Sequence, residues 1–201
     1  MKPVNVGMLG IGTVGSGVVN ILERNADVIT RRAGREIRVT YAAARHPERP
    51  RSCRLEGIKL NTDPFEVVDD PQTEIIVELI GGDEPARELI LRALDNGKHV
   101  ITANKALIAQ HGNEIFARAR DSGVTVAFEA AVAGGIPIIK AVREALTGNR
   151  VEWLAGIING TSNYILSEMF YEGREFGDVL AEAQRLGYAE ADPSFDIEGV
   201  D

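Results

Sequence analysis

The sequence predicts an α/β protein: a doubly wound parallel sheet followed by the beginning of a second, α+β unit. Three observations carry that expectation. Short apolar runs alternate with helical stretches from Val4 to Phe128, the pattern of repeated strand–helix–strand units. Gly10-Ile11-Gly12-Thr13-Val14-Gly15 fits G-x-G-x-x-G between the first such run and the first helix. Beyond Ile136 the alternation gives way to glycine- and proline-led helices around a single apolar strand.

Val4, Val6, Met8 and Leu9 give the first strand, which enters the glycine turn. In such a turn the first glycine permits the tight bend, Gly12 lets backbone approach a pyrophosphate, and Gly15 lets helix and strand pack closely. Free N–H groups at the helix start, at Thr13 and Val14, would face the phosphates. A strand before and a helix after the motif therefore point to a dinucleotide site of the Rossmann type. Val14, Val18, Val19 and Leu22 form the apolar face of the helix, and residues 23–38 read as a charged loop marked by Arg31, Arg32 and Gly34. Residues 37–44 form the second strand. An Asp or Glu commonly stands at its end to bond the adenosine ribose; Arg45 stands there instead, which suits a 2′-phosphate and argues for NADP over NAD. A polar, proline-broken loop, residues 46–54, follows.

Asp63-Pro64 opens a short helix to Val68, and residues 74–80 form a strand leading into Gly81-Gly82-Asp83. The next helix runs to Leu94 and is closed by Gly97 through a left-handed cap. Residues 98–102 form a strand with Ala103-Asn104-Lys105 at its end; a helix over 107–121 is closed by Gly123; residues 124–128 form a strand leading into Glu129. Gly10 to Gly15, Arg45, Gly81-Gly82, Lys105 and Glu129 thus all fall at carboxyl ends of strands, where ligands bind in such sheets. Lys105 is cationic there, with a surface ion pair as its plainer role. After Gly134-Gly135-Ile136-Pro137 comes a helix to Leu146, then a strand over 153–158, and helices over 163–171 and 177–186. The domain boundary falls between residues 135 and 136, dividing a nucleotide-binding domain, 1–135, from the first part of a substrate domain, 136–201.

Composition bounds the function. With 44% hydrophobic and 26% charged residues the chain is that of a globular protein, and its net charge of −8 disfavours nucleic acid or an anionic membrane as partner. No run approaches a membrane span or the apolar core of a signal peptide, so a cytoplasmic location is expected. One cysteine, Cys53, excludes an intrachain disulfide; among Arg51, Ser52 and Arg54 it reads as a loop residue or, if activated, a nucleophile. His46, His99 and His111 lack the spacing of a zinc site.

Five ordered blocks are more specific than the glycine turn: GIGTVG at Gly10, ANKAL at Ala103, EAAVAGGIPII at Glu129, GIINGTSNYIL at Gly156 and GYAEADPSFDIEGVD at Gly187. With them the chain resembles the homoserine dehydrogenases over nearly its whole length. The resemblance implies NAD(P)H-linked interconversion of L-aspartate 4-semialdehyde and L-homoserine, on the path to threonine, methionine and isoleucine. It implies that Lys105 contacts cofactor or substrate, that Gly187 lies at the cofactor, and that Gly160, Thr161, Tyr188, Glu190 and Asp196 face the substrate, Glu190 on its ammonium group. Thr161 could equally cap a helix. Asp201 matches an aspartate near the reacting carbonyl. It also implies a sodium ion on backbone oxygens of Glu129, Val132, Gly134 and Ile136, and a homodimer or larger assembly. The family's general acid is a lysine four residues past Asp201, so this sequence is expected to act as an N-terminal part with little turnover. Two alternatives stay open: a semialdehyde reductase working through Cys53, and a non-catalytic NADP-binding module or sensor.

Overall fold

The computed structural model describes residues 2–189 together with 193, 194 and 198, in two compact units, Met1–Thr147 and Gly148–Asp201. In the first, β1 (Val4–Leu9), β2 (Ile37–Ala43), β3 (Lys59–Asn61), β4 (Ile75–Glu78), β5 (His99–Thr102) and β6 (Val126–Ala127) form a single sheet in the order β3-β2-β1-β4-β5-β6. Every neighbouring pair is parallel. The winding reverses between β1 and β4, the switch point at which such sheets open a crevice. Register aligns that edge: Ala43 pairs with Leu9, Leu9 with Glu78, and Glu78 with Thr102, so four strands end level.

Helices α1 (Thr13–Arg24), α2 (Ala26–Ala33), α3 (Pro64–Asp69), α4 (Ala86–Asp95) and α5 (Lys105–Asp121) join these strands. Because side chains alternate across a strand, β1 feeds two cores. Leu9 joins Val67, Ile76, Leu89, Ile90, Leu94, Leu107 and Ile115 beneath α3, α4 and α5. Val6 and Met8 join Val19, Val39 and Val77 on the α1 face. The central strands are thus covered on both sides, and this is why they read as unbroken apolar runs. Asp63 and Asn104 cap α3 and α5 by accepting from Phe65 N–H and Leu107 N–H; Gly97 and Gly123 follow α4 and α5 at positive φ.

In the second unit α7 (Gly160–Glu172) and α8 (Phe176–Leu186) pack around Ile165, Val179, Ala183 and Ala189. Gly173 and Gly187 end them in the left-handed conformation.

Four expectations are corrected. The charged loop over 23–38 contains α2, a solvent-facing helix with no buried residue, closed by Gly34 at φ 72°. A third strand, β3, forms in a polar segment because Ala44 N–H and the end of β2 supply its ladder. The expected helix to Leu146 splits into α6 (Ile138–Lys140) and a wider π turn, Ala141–Ala145. The expected strand over 153–158 does not form: its unit holds no described strand to complete a ladder, and Trp153 and Ile158 stand 79% and 90% exposed.

Candidate functional site

The glycine turn follows β1. Gly10 lies at φ 97°, donates its N–H to Ala43 O at 3.0 Å, and has no room for a Cβ, which would stand 2.9 Å from Leu79 O. A Cβ on Gly15 would stand 2.6 Å from Gly10 O and 2.9 Å from Met8 Sδ, so this glycine is needed for helix to meet strand. Gly12 is different: nothing lies within 4 Å of its would-be Cβ. It precedes α1, whose first turn exposes Thr13 and Val14, and α1 begins with no side-chain cap. Open space in front of uncapped N–H groups is the setting in which a phosphate binds a helix start.

A cavity of about 510 Å³ opens there, lined by Gly10, Ile11 and Gly12 on one side and by Arg45, His46, Arg49 and Arg51 on the other. Arg51 folds back on its own loop, donating to Arg49 O at 2.9 Å and His46 O at 2.7 Å. Arg45 is exposed at the mouth. In a chain of net charge −8 this cluster is a local positive field suited to a phosphate. Cys53 lies outside that lining and packs against the α1-side core.

On the other side of the switch point a buried polar ring ties two strand ends. The Glu78 carboxylate, fully buried, accepts from Ile80 N–H at 2.8 Å, Gly81 N–H at 3.0 Å and the Thr102 hydroxyl at 2.5 Å. Thr102 Oγ1 accepts from Asn104 N–H at 3.0 Å, and Asn104 Nδ2 donates to Gly82 O at 2.6 Å, closing the ring. Lys105 begins α5 immediately afterwards, exposed at its N-terminus. Sequence reasoning placed Lys105 and Gly81-Gly82 at strand ends and missed Glu78, Thr102 and Asn104. The signal for Glu78 was a charge inside an apolar run, and for Asn104 a cap residue before a helix.

Residues 129–136 form a turn in which Ala133 takes φ 47° and Gly135 φ 83°. The Glu129 carboxylate accepts from Ile139 N–H and Lys140 N–H, each at 2.9 Å, and so caps α6. The carbonyls of Glu129 and Ile136 accept from Val132 N–H and Ile138 N–H; among the described residues those of Val132 and Gly134 take no backbone donor. No group of three His, Cys, Asp or Glu side chains arranged for a metal occurs among the described residues.

Within the second unit Thr161, Gly160, Gly187 and Tyr188 come together. Thr161 Oγ1 donates to Tyr188 O at 2.6 Å, and the Tyr188 ring meets Tyr164 edge-on at 5.2 Å. The cap of α7 is Asn159, accepting from Ser162 N–H at 2.7 Å, so Thr161 is not the cap that its position allowed. Glu190, Asp196 and Asp201 lie outside the described residues.

Comparison with known proteins accounts for both units. The family model described as the homoserine dehydrogenase NAD-binding domain matches residues 10–129, and that described as homoserine dehydrogenase matches 137–201. A homoserine dehydrogenase of Pseudomonas aeruginosa is 64% identical over the whole chain, which covers 46% of that relative. The crystal structure of a homoserine dehydrogenase from Thiobacillus denitrificans is 66% identical, with a TM-score of 0.92 over all of this chain and 46% of its own. A hyperthermophilic archaeal homoserine dehydrogenase in complex with NADPH is 29% identical with a TM-score of 0.84, covering 99% of this chain and 66% of its own. The chain spans about half the length of the curated relatives it matches. No described helix is long and apolar enough to cross a membrane. With the two family models and full-length coverage by these relatives, the chain belongs to the homoserine dehydrogenase family.

Proposed function

We propose that this chain carries the cofactor site and the first substrate contacts of an NADP(H)-linked homoserine dehydrogenase, which interconverts L-aspartate 4-semialdehyde and L-homoserine. One observation carries the reading: the open face of Gly12 and the Arg45 guanidinium line the same cavity. A bound nicotinamide dinucleotide supplies the hydride acceptor or donor. Gly12 gives the pyrophosphate room, and the amides of Thr13 and Val14 meet its charge. Arg45 forks onto a 2′-phosphate, which selects NADP over NAD. The NADPH complex of the archaeal relative supports this choice of cofactor. Lys105 brings a positive charge to the aldehyde oxygen, which gains negative charge as hydride arrives. Gly160, Thr161, Tyr188, Glu190 and Asp196 engage the amino acid, Glu190 through its ammonium group, Gly187 adjoins the cofactor, and Asp201 serves the reacting carbonyl.

The same reading assigns residues 1–135 to cofactor and 136–201 to the start of the substrate domain, in a cytoplasmic homodimer or larger assembly. It gives the turn at Glu129, Val132, Gly134 and Ile136 to a sodium ion held by backbone oxygens. The donor type suits a hard cation, and the carbonyls of Val132 and Gly134 take no backbone donor within the described residues.

Calorimetric titration of the chain with NADPH and then NADH tests the assignment. NADPH is expected to bind about tenfold more tightly or better, and Arg45→Ala to erase that preference while sparing NADH. Absence of binding, or an Arg45→Ala variant that keeps the preference, overturns it. Homoserine should raise the melting midpoint further in the presence of NADP; no further rise favours a cofactor-binding module without chemistry.

A further inference from the structure

We infer that Glu78 is a positioning residue for the nicotinamide half of the cofactor site, acting through the two loops that it ties together. The inference rests on the cofactor reading above and deepens it. Along the sheet edge Arg45 follows β2, on one side of the glycine turn, whereas β4 and β5 lie on the other. A dinucleotide whose pyrophosphate sits at the turn and whose adenosine end reaches Arg45 must extend its other end over β4 and β5. The loops that follow those two strands, Ile80 to Gly82 and Ala103 to Lys105, are then the walls of the hydride-transfer end.

Neither loop is held by its own backbone alone. Gly81 and Gly82 sit at φ 70° and 76°, and their place is fixed by the Glu78 carboxylate on Ile80 and Gly81 N–H and by Asn104 Nδ2 on Gly82 O. The second loop is fixed by Thr102, which donates to Glu78 and accepts from Asn104 N–H, while Asn104 Oδ1 accepts from Leu107 N–H and starts the helix that bears Lys105. One buried carboxylate with three donors thus sets both walls at once. An amide in its place still accepts from Ile80 and Gly81, but turns an N–H₂ toward the Thr102 oxygen, so the buried Thr102 O–H loses the carboxylate that accepts from it. The ring is then weakened at Thr102, between the two loops.

The test compares whole cofactor with its adenosine end, using the 201-residue chain, NADPH and adenosine 2′,5′-bisphosphate. Glu78→Gln is expected to weaken NADPH by about tenfold or more and to leave the bisphosphate within about twofold, because a shift of the loops costs only contacts beyond the pyrophosphate. Thr102→Val breaks the ring from its other side and should repeat the result; Thr102→Ser, which keeps the hydroxyl, should restore NADPH binding. If both ligands weaken together in both variants, or neither weakens, the positioning role is overturned. A parent chain that binds neither ligand overturns the cofactor reading itself, and the Glu78 role with it.

Discussion

The sheet unit and the helical hairpin of the second unit are stabilised in different ways. The sheet unit buries two apolar layers, with Met8, Leu9, Ile76, Leu89, Ile90 and Leu94 fully inaccessible. The hairpin's core is Ile165, Val179, Ala183 and Ala189, two of them alanines, with Tyr164, Met169 and Leu180 at its margin. Polar devices supplement it. Arg174 grips Glu168 at 2.9 Å and Glu182 at 2.6 Å, and Thr161 ties the start of α7 to Tyr188, just past the glycine that ends α8. The sheet unit can therefore hold its site on strand ends that apolar packing fixes, whereas the hairpin holds its candidate substrate residues with a small core, two glycine caps and a salt-bridge clasp. Stability is expected to respond to core changes most in the first, whereas in the second a larger share should rest on the Arg174 clasp.

The largest effect should come from Leu89→Ala. Leu89 is fully buried beneath the sheet, and its truncation should cost about 3 kcal/mol in urea unfolding. A loss under about 1 kcal/mol would mean that this layer is looser than it looks. Val179→Ala, fully buried in the hairpin, removes less and should cost about 2 kcal/mol, read as faster amide exchange in α7 and α8. Equal exchange in the variant and the parent would show that the four-residue core contributes little.

Two glycines of the turn divide packing from ligand binding. Gly15→Ala drives a methyl group into Gly10 O and Met8 Sδ and should cost about 2 kcal/mol of stability before any cofactor is added. Gly12→Ala meets no protein atom, so its melting midpoint should fall far less than that of Gly15→Ala. Its methyl group enters the space assigned to pyrophosphate, and NADPH should weaken by about tenfold. A Gly12→Ala chain that binds NADPH as well as the parent would move the phosphate site elsewhere.

What the sequence made legible follows the same division. Strands β1, β2, β4 and β5 could be read because burial on both faces makes their composition one-sided, and helix ends could be read where Gly97 and Gly123 stand. β3 could not be read: Lys59-Leu60-Asn61 has no apolar signature, and it is a strand only because β2 offers an edge. The reverse error was the segment over 153–158, whose apolar content is that of a strand but which has no described strand in its unit to pair with. In the candidate site, the glycine turn and the places of Arg45 and Lys105 just past strand ends were legible because local geometry or chain position marks them. The Glu78 ring was not, since it joins residues 24 apart that only the register of β4 with β5 brings level.

The smallest effect is the pH response of the hairpin. Hydrogen bonding to Arg174 holds the Glu182 carboxyl below its ordinary value of 4.5, with the charge of Arg174 adding to the effect, and the guanidinium is raised in turn by Glu168 and Glu182. A carboxyl that titrates lower in the folded than in the unfolded chain contributes fully above its unfolded value, and that contribution is lost as pH falls through its folded value. Protection of α7 and α8 should therefore decline as pH falls below the ordinary carboxyl value of 4.5 in the parent, beside any decline in the sheet unit, where Arg92 likewise holds Asp69 low. Arg174→Met keeps the stem packed and removes the charge, so the variant should start less protected at neutral pH and lose less on acidification. Both side chains are about one-third exposed, so solvent still screens the pair; the difference should be modest and should shrink in high salt, unlike the losses at Leu89 and Val179. An acid decline of equal size with and without Arg174 would leave the hairpin dependent on its apolar core alone, and the contrast with the sheet unit would then be one of core size rather than of kind.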